Sequence, residues 1–181
     1  MPRHANRKSA ARAVQKILDV PFTAGNRFAD QAELKLTPSE PHSTYVAAVS
    51  AALEEMGLPT QSKLTGRVNE VPVGFLKLER TPLTLLNGVW YLGLQWTMHE
   101  GVGWLLHASL PLSDSFGRWS VGGADIVPDP GCLAEEVRDL FAERRLRFTA
   151  AAQPRTQTLE EAQRALSVFA ASSASTERQG A

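Results

Sequence analysis

Val89-Trp90-Tyr91-Leu92-Gly93-Leu94-Gln95-Trp96-Thr97-Met98 decides the class of this fold. Trp90, Leu92, Leu94, Trp96 and Met98 fall on one side of a two-residue repeat, with Tyr91, Gly93, Gln95 and Thr97 on the other. A helix would scatter these residues around its axis, whereas a strand gathers the large apolar ones on a single face. The stretch therefore reads as a half-buried strand with a core on its tryptophan side. His99-Glu100-Gly101-Val102-Gly103 follows as a hairpin loop, and residues 104–110 return as the partner strand. Farther out, 73–78 and 119–126 are two more candidate strands.

Helices flank this β-rich centre. Over 43–56, Tyr45, Val49, Ala52, Leu53 and Met56 share one face, and Gly57 with Pro59 stops the pattern. Ser43 reads as the residue that opens or caps this helix. Asp129-Pro130 supplies an N-cap and a first-turn proline for a helix running to about residue 146, with Leu133, Val137, Leu140 and Phe141 inward. Thr158 and Glu161 form a capping box before Leu159, Ala162, Leu166 and Phe169. Residues 170–181 read as a low-complexity, disordered tail, and 34–41, with Pro38 and Pro41, as a linker. The expected fold is α+β: a two-layer domain over 41–148, with an antiparallel sheet of about four strands flanked by helices. A basic arm over 1–36 precedes it and a helix with its tail over 149–181 follows.

The 181 residues suffice for one core and an appendage. Net charge is zero, but it is segregated. Residues 1–35 hold seven Lys/Arg against three Asp/Glu, a balance of +4, which leaves −4 on the remainder. Such asymmetry points to an arm that meets an anion and a body that stays acidic. The single cysteine excludes an internal disulfide and any multi-cysteine metal site. No apolar run approaches the roughly eighteen residues of a membrane span, and no apolar segment follows the basic N-terminus. A cytoplasmic protein without a membrane partner is expected.

Residues 9–31 read as two short helices around a three-residue break. Val14, Leu18, Val20 and Phe28 are placed to lock them together, the requirement of a helix-turn-helix. Thr23, Asn26 and Arg27 would then face outward. Asn26 suits an adenine edge and Arg27 a guanine edge or a phosphate. Arg3, Arg7, Lys8, Arg12 and Lys16 would add phosphate contacts independent of sequence.

The run Ala11-x-x-Val14-Gln15-Lys16-x-Leu18-x-Val20-x-Phe22-x-x-Gly25-x-Arg27-Phe28-x-Asp30 resembles, without gaps, the winged-helix DNA-reading (gamma) module of FtsK-type translocases. The resemblance implies a recognition helix with Thr23, Asn26 and Arg27 at the bases. Ala24 stands where that family has a basic residue, Pro21 replaces a glycine, Gly25 weakens the second helix, and no wing follows. A second resemblance, carried by His42-Ser43-x-Tyr45-Val46-x-Ala48-Val49-x-x-Ala52-Leu53, the tryptophan-rich hairpin and Val127-Pro128-Asp129-Pro130, is to an uncharacterised actinobacterial domain. It covers roughly residues 41–148, implies a single domain and adds no activity.

The chemistry-bearing residues give no reaction. His99, Glu100 and His107 do not match a metal-ligand spacing, and no metal or cofactor is expected. Cys132 would lie in a first helical turn, where the dipole lowers a thiol pKa, but no base accompanies it. His42-Ser43 lacks a third triad partner. Gly101, Gly103, Gly122 and Gly123 read as turn and bulge positions. Trp90, Trp96, Trp104 and Trp119 are core candidates, and any exposed one would mark a partner surface. The expected function is non-enzymatic and regulatory: a DNA-associated protein whose body binds a protein partner or pairs with a second copy. The alternative is an antitoxin- or immunity-like adaptor that uses the tryptophan-bearing sheet.

Overall fold

Pro41 at the first helical position fixes the start of α1 (Pro41–Glu55), with Glu40 in the extended conformation before it. The cap thus precedes Ser43, whose hydroxyl instead bonds the Thr65 hydroxyl at 3.0 Å. His42, Tyr45, Val46, Val49, Ser50 and Leu53 form the buried stripe, at the three- and four-residue spacing that a core-facing helix requires. Gly57 at φ 77 ends the helix, and the Leu58 amide reaches back to the Leu53 carbonyl at 2.8 Å. This left-handed closure leaves Leu58 fully buried.

The computed structural model describes residues 34–36, 40–68, 70–79, 81, 91–98, 101–109, 116–142 and 155–179. Among them six strands form one sheet: β1 (Leu34–Leu36), β2 (Thr60–Val68), β3 (Val71–Leu78), β4 (Tyr91–Thr97), β5 (Gly103–Ser109) and β6 (Phe116–Val121). Their spatial order is their chain order, and every neighbouring pair is antiparallel. The α+β class is as expected. The sheet is larger than the four strands read from the sequence, because β2 lies in a stretch without apolar alternation and β1 in the expected linker. The expected strand over 119–126 is shifted. It begins at Phe116 and ends at Val121, where Gly122 and Gly123 turn the chain at positive φ.

Register places the core in rows. Gly74, Trp96, Trp104 and Val121 stand side by side across four strands, and Leu76, Leu94, Leu106 and Trp119 form the next row. Both rows face α1, since a Cβ on Gly74 would lie 2.5 Å from Val46 Cγ2. A slip of one residue would turn all eight away from the helices, so the register is strongly specified.

The other two helices, α2 (Pro130–Ala142) and α3 (Leu159–Gln179), pack against α1. Asp129 caps α2 as expected, its Oδ1 accepting the Gly131 and Cys132 amides at 2.9 and 3.1 Å. The capping box of α3 also forms, with the Thr158 amide donating to Glu161 and the Glu161 amide to Thr158 Oγ1. On α3, Ala162 and Leu166 are buried, whereas Leu159 is 46% exposed and does not join the core. The helix continues through Gln179, so the stretch read as a disordered tail is helical there. Among the described residues no helix is long and apolar enough to cross a membrane.

Candidate functional site

Polar side chains of α1 and of Glu40 before it meet polar side chains of β2 at three points. Ser50 Oγ lies 2.6 Å from Thr60 Oγ1, which also donates to Glu54 at 3.0 Å. At the opposite end, Arg67 Nε and Nη2 hold Glu40 Oε2 at 2.7 and 2.5 Å. Arg67 Nη1 donates to the Glu70 carbonyl at 2.6 Å. Glu70 sits at φ 65 in the turn that joins β2 to β3, a conformation uncommon for a residue with a side chain.

His42 lies beneath this pair, 2% exposed, with Nδ1 3.5 Å from Glu40 Oε2. Its ring stacks on Trp96 at 6.3 Å and 23°. Burial pushes the imidazole below its ordinary pKa and Arg67 adds to this, while Glu40 and a hydrogen bond with the Gly66 backbone oppose it. The Arg67 guanidinium holds the Glu40 carboxyl below the usual carboxylate range. At neutral pH the cluster is therefore a carboxylate, a guanidinium and an uncharged imidazole.

The His42 shift carries a stability prediction. In the unfolded chain this imidazole binds a proton near pH 6.5, whereas the folded protein resists protonating it until lower pH. Stability is thus lost as pH falls below the unfolded value, by up to about 1.4 kcal/mol per pH unit. Glu40 acts in the same direction only at more acidic pH, because its folded pKa lies below the ordinary carboxylate value. Urea midpoints measured between pH 7.5 and 5.5 should fall on the acid side. His42→Gln should flatten that fall, and an unchanged slope would contradict the assignment.

The cluster borders a half-open groove of about 440 Å³ between the start of α1, the β2–β3 turn and the first turns of α3. Its apolar lining includes Val71, Pro72, Met98 and Leu166, and the exposed Leu159 stands at its edge. Glu40 and Arg67 were not singled out in the sequence. One lay in the apparent linker and the other in a strand that apolar spacing does not reveal.

A second polar centre is architectural. Arg155, just before α3, donates to the carbonyls of Val102, Trp104 and Val121 at 3.1, 3.2 and 2.9 Å. It also donates to the Gly123 carbonyl and, at 2.7 Å, to Ser120 Oγ. Gln157 Oε1 accepts the amides of Ile126 and Val127 at 2.8 and 3.0 Å. These bonds fasten the segment entering α3 across β5, β6 and the turn after β6. In the core, Trp96 Nε1 donates to the Ile126 carbonyl at 2.7 Å and Trp104 Nε1 to the Tyr45 hydroxyl at 3.0 Å. The Tyr45 hydroxyl donates in turn to the Pro128 carbonyl at 2.9 Å, and burial holds the phenol far above its ordinary pKa.

Arg7, Lys8, Arg12, Lys16, Thr23, Asn26 and Arg27 lie outside the described residues, as does Trp90. Trp96 and Trp104 are fully buried and Trp119 is 5% exposed, so these three build the core and offer no partner surface. The reason is register, which turns each toward the helices. Cys132 is exposed, and its thiol pKa is raised, chiefly by the Asp129 carboxylate, against the activation expected at a helix start. Ser43 Oγ lies 3.0 Å from the Thr65 hydroxyl. His107 lies half-buried on β5, on the strand face opposite Leu106. Among the described residues no group of three His, Cys, Asp or Glu is placed to hold a metal ion. No family model matches the chain, and neither a curated protein nor a solved structure matches it.

Proposed function

We propose that the chain is a non-enzymatic DNA-associated protein, in which the basic segment before β1 contacts DNA and the α+β body carries a partner or a second copy. The observation that carries this reading is the charge segregation, +4 over residues 1–35 against −4 over the rest. A duplex attracts the first and repels the second, so the complex has a preferred orientation before any base is read. The fold supports the reading in one further respect. Leu34, Lys35 and Leu36 pair with Val68, Arg67 and Gly66, which ties the end of the basic segment to the sheet edge. The DNA-contacting residues are Arg7, Lys8, Arg12, Lys16, Thr23, Asn26 and Arg27, the first four on phosphates.

Titration of a fluorescent random-sequence duplex tests this. Because deletion through residue 36 would remove β1, the variant is the full chain with Arg7, Lys8, Arg12 and Lys16 changed to Gln. Loss of four phosphate contacts should weaken binding sharply at low salt. Raising salt fourfold should weaken the unaltered chain by about a hundredfold, the expectation for about four phosphate contacts. Arg27→Ala should weaken binding further. Equal, salt-insensitive retention of all three proteins would defeat the reading.

A further inference from the structure

We infer that residues 9–31 dock on the face of the sheet turned away from the helices, which holds the basic segment on the body. Register puts Leu64, Phe75, Gln95 and Leu105 in one row of that face, with Gly66, Val73 and Thr97 in the next. Leu64, Val73, Phe75 and Thr97 are only 4–8% exposed. Yet Leu64, Val73 and Phe75 do not belong to the core beneath α1. That helix fills the opposite face, against Gly74, and α2 and α3 pack on it. The cover over β2, β3 and β4 is therefore supplied from outside the described residues. The burial is that of a single chain, so the cover is a stretch of this chain and not a second copy.

Chain path selects the stretch. Residues 79–90 join β3 to β4 at the far end of the sheet, about 17 Å along β3 from Val73. Twelve residues running out and back span that only when nearly extended. Residues 143–154 lead into Arg155, which is fastened to β5 and β6, three strands from Leu64. Residues 1–33 end at β1, whose neighbour is β2, the strand that carries Leu64. Leu34 pairs with Val68 and Leu36 with Gly66, at the end of the sheet where Val73 and Thr97 lie. Residues 9–31 also hold more large apolar side chains than two short helices need to lock together. Beyond Val14, Leu18, Val20 and Phe28 there are Ile17 and Phe22. On a helix, Arg12 and Lys16 stand about 100–140° round the axis from Ile17. With Ile17 and Phe22 against the sheet, both cations stay turned outward, where DNA contact needs them. The docking itself rests on burial and chain path, not on DNA binding.

The test is methyl-resolved NMR of the full chain without DNA, with a soluble nitroxide as the probe of exposure. In the unaltered chain the Leu64 and Val73 methyls should be shielded as well as those of Val46 in the core. Ile17→Asp combined with Phe22→Asp should raise their relaxation severalfold and leave Val46 unchanged. Leu146→Asp combined with Phe148→Asp, in the rival stretch, should leave Leu64 and Val73 shielded. A second measurement decides the matter even if the first variant unfolds. A nitroxide on Thr23→Cys, in a Cys132→Ser background, should broaden Leu64 and Val73 of its own chain. In a mixture of spin-labelled and isotope-labelled chains it should broaden neither. Continued shielding in the Ile17 and Phe22 variant, exposure by the Leu146 and Phe148 variant, absent broadening, or broadening across molecules would each overturn the docking. Because no DNA is present, such a result leaves the duplex titration to judge DNA binding separately.

Discussion

Arg155→Met should lower the unfolding free energy by about 2–4 kcal/mol, the cost expected when several partly buried acceptors lose one shared charged donor. The guanidinium serves five oxygens: the carbonyls of Val102, Trp104, Val121 and Gly123, and the Ser120 hydroxyl. These belong to the β4–β5 turn, β5, β6 and the turn after β6, so one side chain joins four parts of the chain. Methionine fills similar space but donates nothing. Arg155→Lys retains the charge without the planar fork, and should recover only part of the loss. Urea denaturation reads the midpoint of each variant. Hydrogen exchange at Ile126 and Val127 should accelerate in step, since their amides bond to Gln157 two residues after Arg155. An unchanged midpoint in Arg155→Met would mean that the five oxygens are served as well by water.

Why Arg155 escapes a sequence reading, while Asp129 or Thr158 does not, is a matter of range. A cap is a local contract, settled within three residues, and Asp129-Pro130 and Thr158-x-x-Glu161 state it in full. Arg155 bonds residues 32 to 53 positions away, which no spacing rule anticipates. The same distinction separates β4 from β2. The alternation from Trp90 to Met98 announces a strand because one face is apolar. On β2, Thr60 and Thr65 meet Ser50 and Ser43 of α1, and Arg67 meets Glu40 just before it. A half-buried polar stripe satisfied by another polar stripe looks like solvent-facing loop until both partners are known. The groove inherits this opacity, because Glu40 and Arg67, which line it, are paired only by the fold. The tryptophans were legible as strand residues, but whether an indole faces core or solvent depends on which side the helices cover.

Among the described glycines, Gly74 leaves the least room for a side chain. Gly74→Ala should cost about 2–3 kcal/mol, the upper part of the range for overpacking a well-filled core. A Cβ there would stand 2.5 Å from Val46 Cγ2, closer than carbon atoms tolerate, and 3.4 Å from Cγ1. Val46 is fully buried, so its methyls have no solvent to move into. Relief requires α1 to lift from β3, which also strains the seating of Tyr45 against Trp96 and Trp104. Glycine in the middle of a strand is otherwise unfavourable, and close helix approach is the reason for it here. Val46→Ala alone should also destabilise, by about 1–3 kcal/mol through lost burial. Combined with Gly74→Ala, however, it opens the space that the new methyl needs. The double variant should therefore be more stable than the sum of the two single losses predicts, by at least about 1 kcal/mol. Strict additivity in a double-mutant cycle would show that Val46 and Gly74 do not share the contact that sets the height of α1 above the sheet.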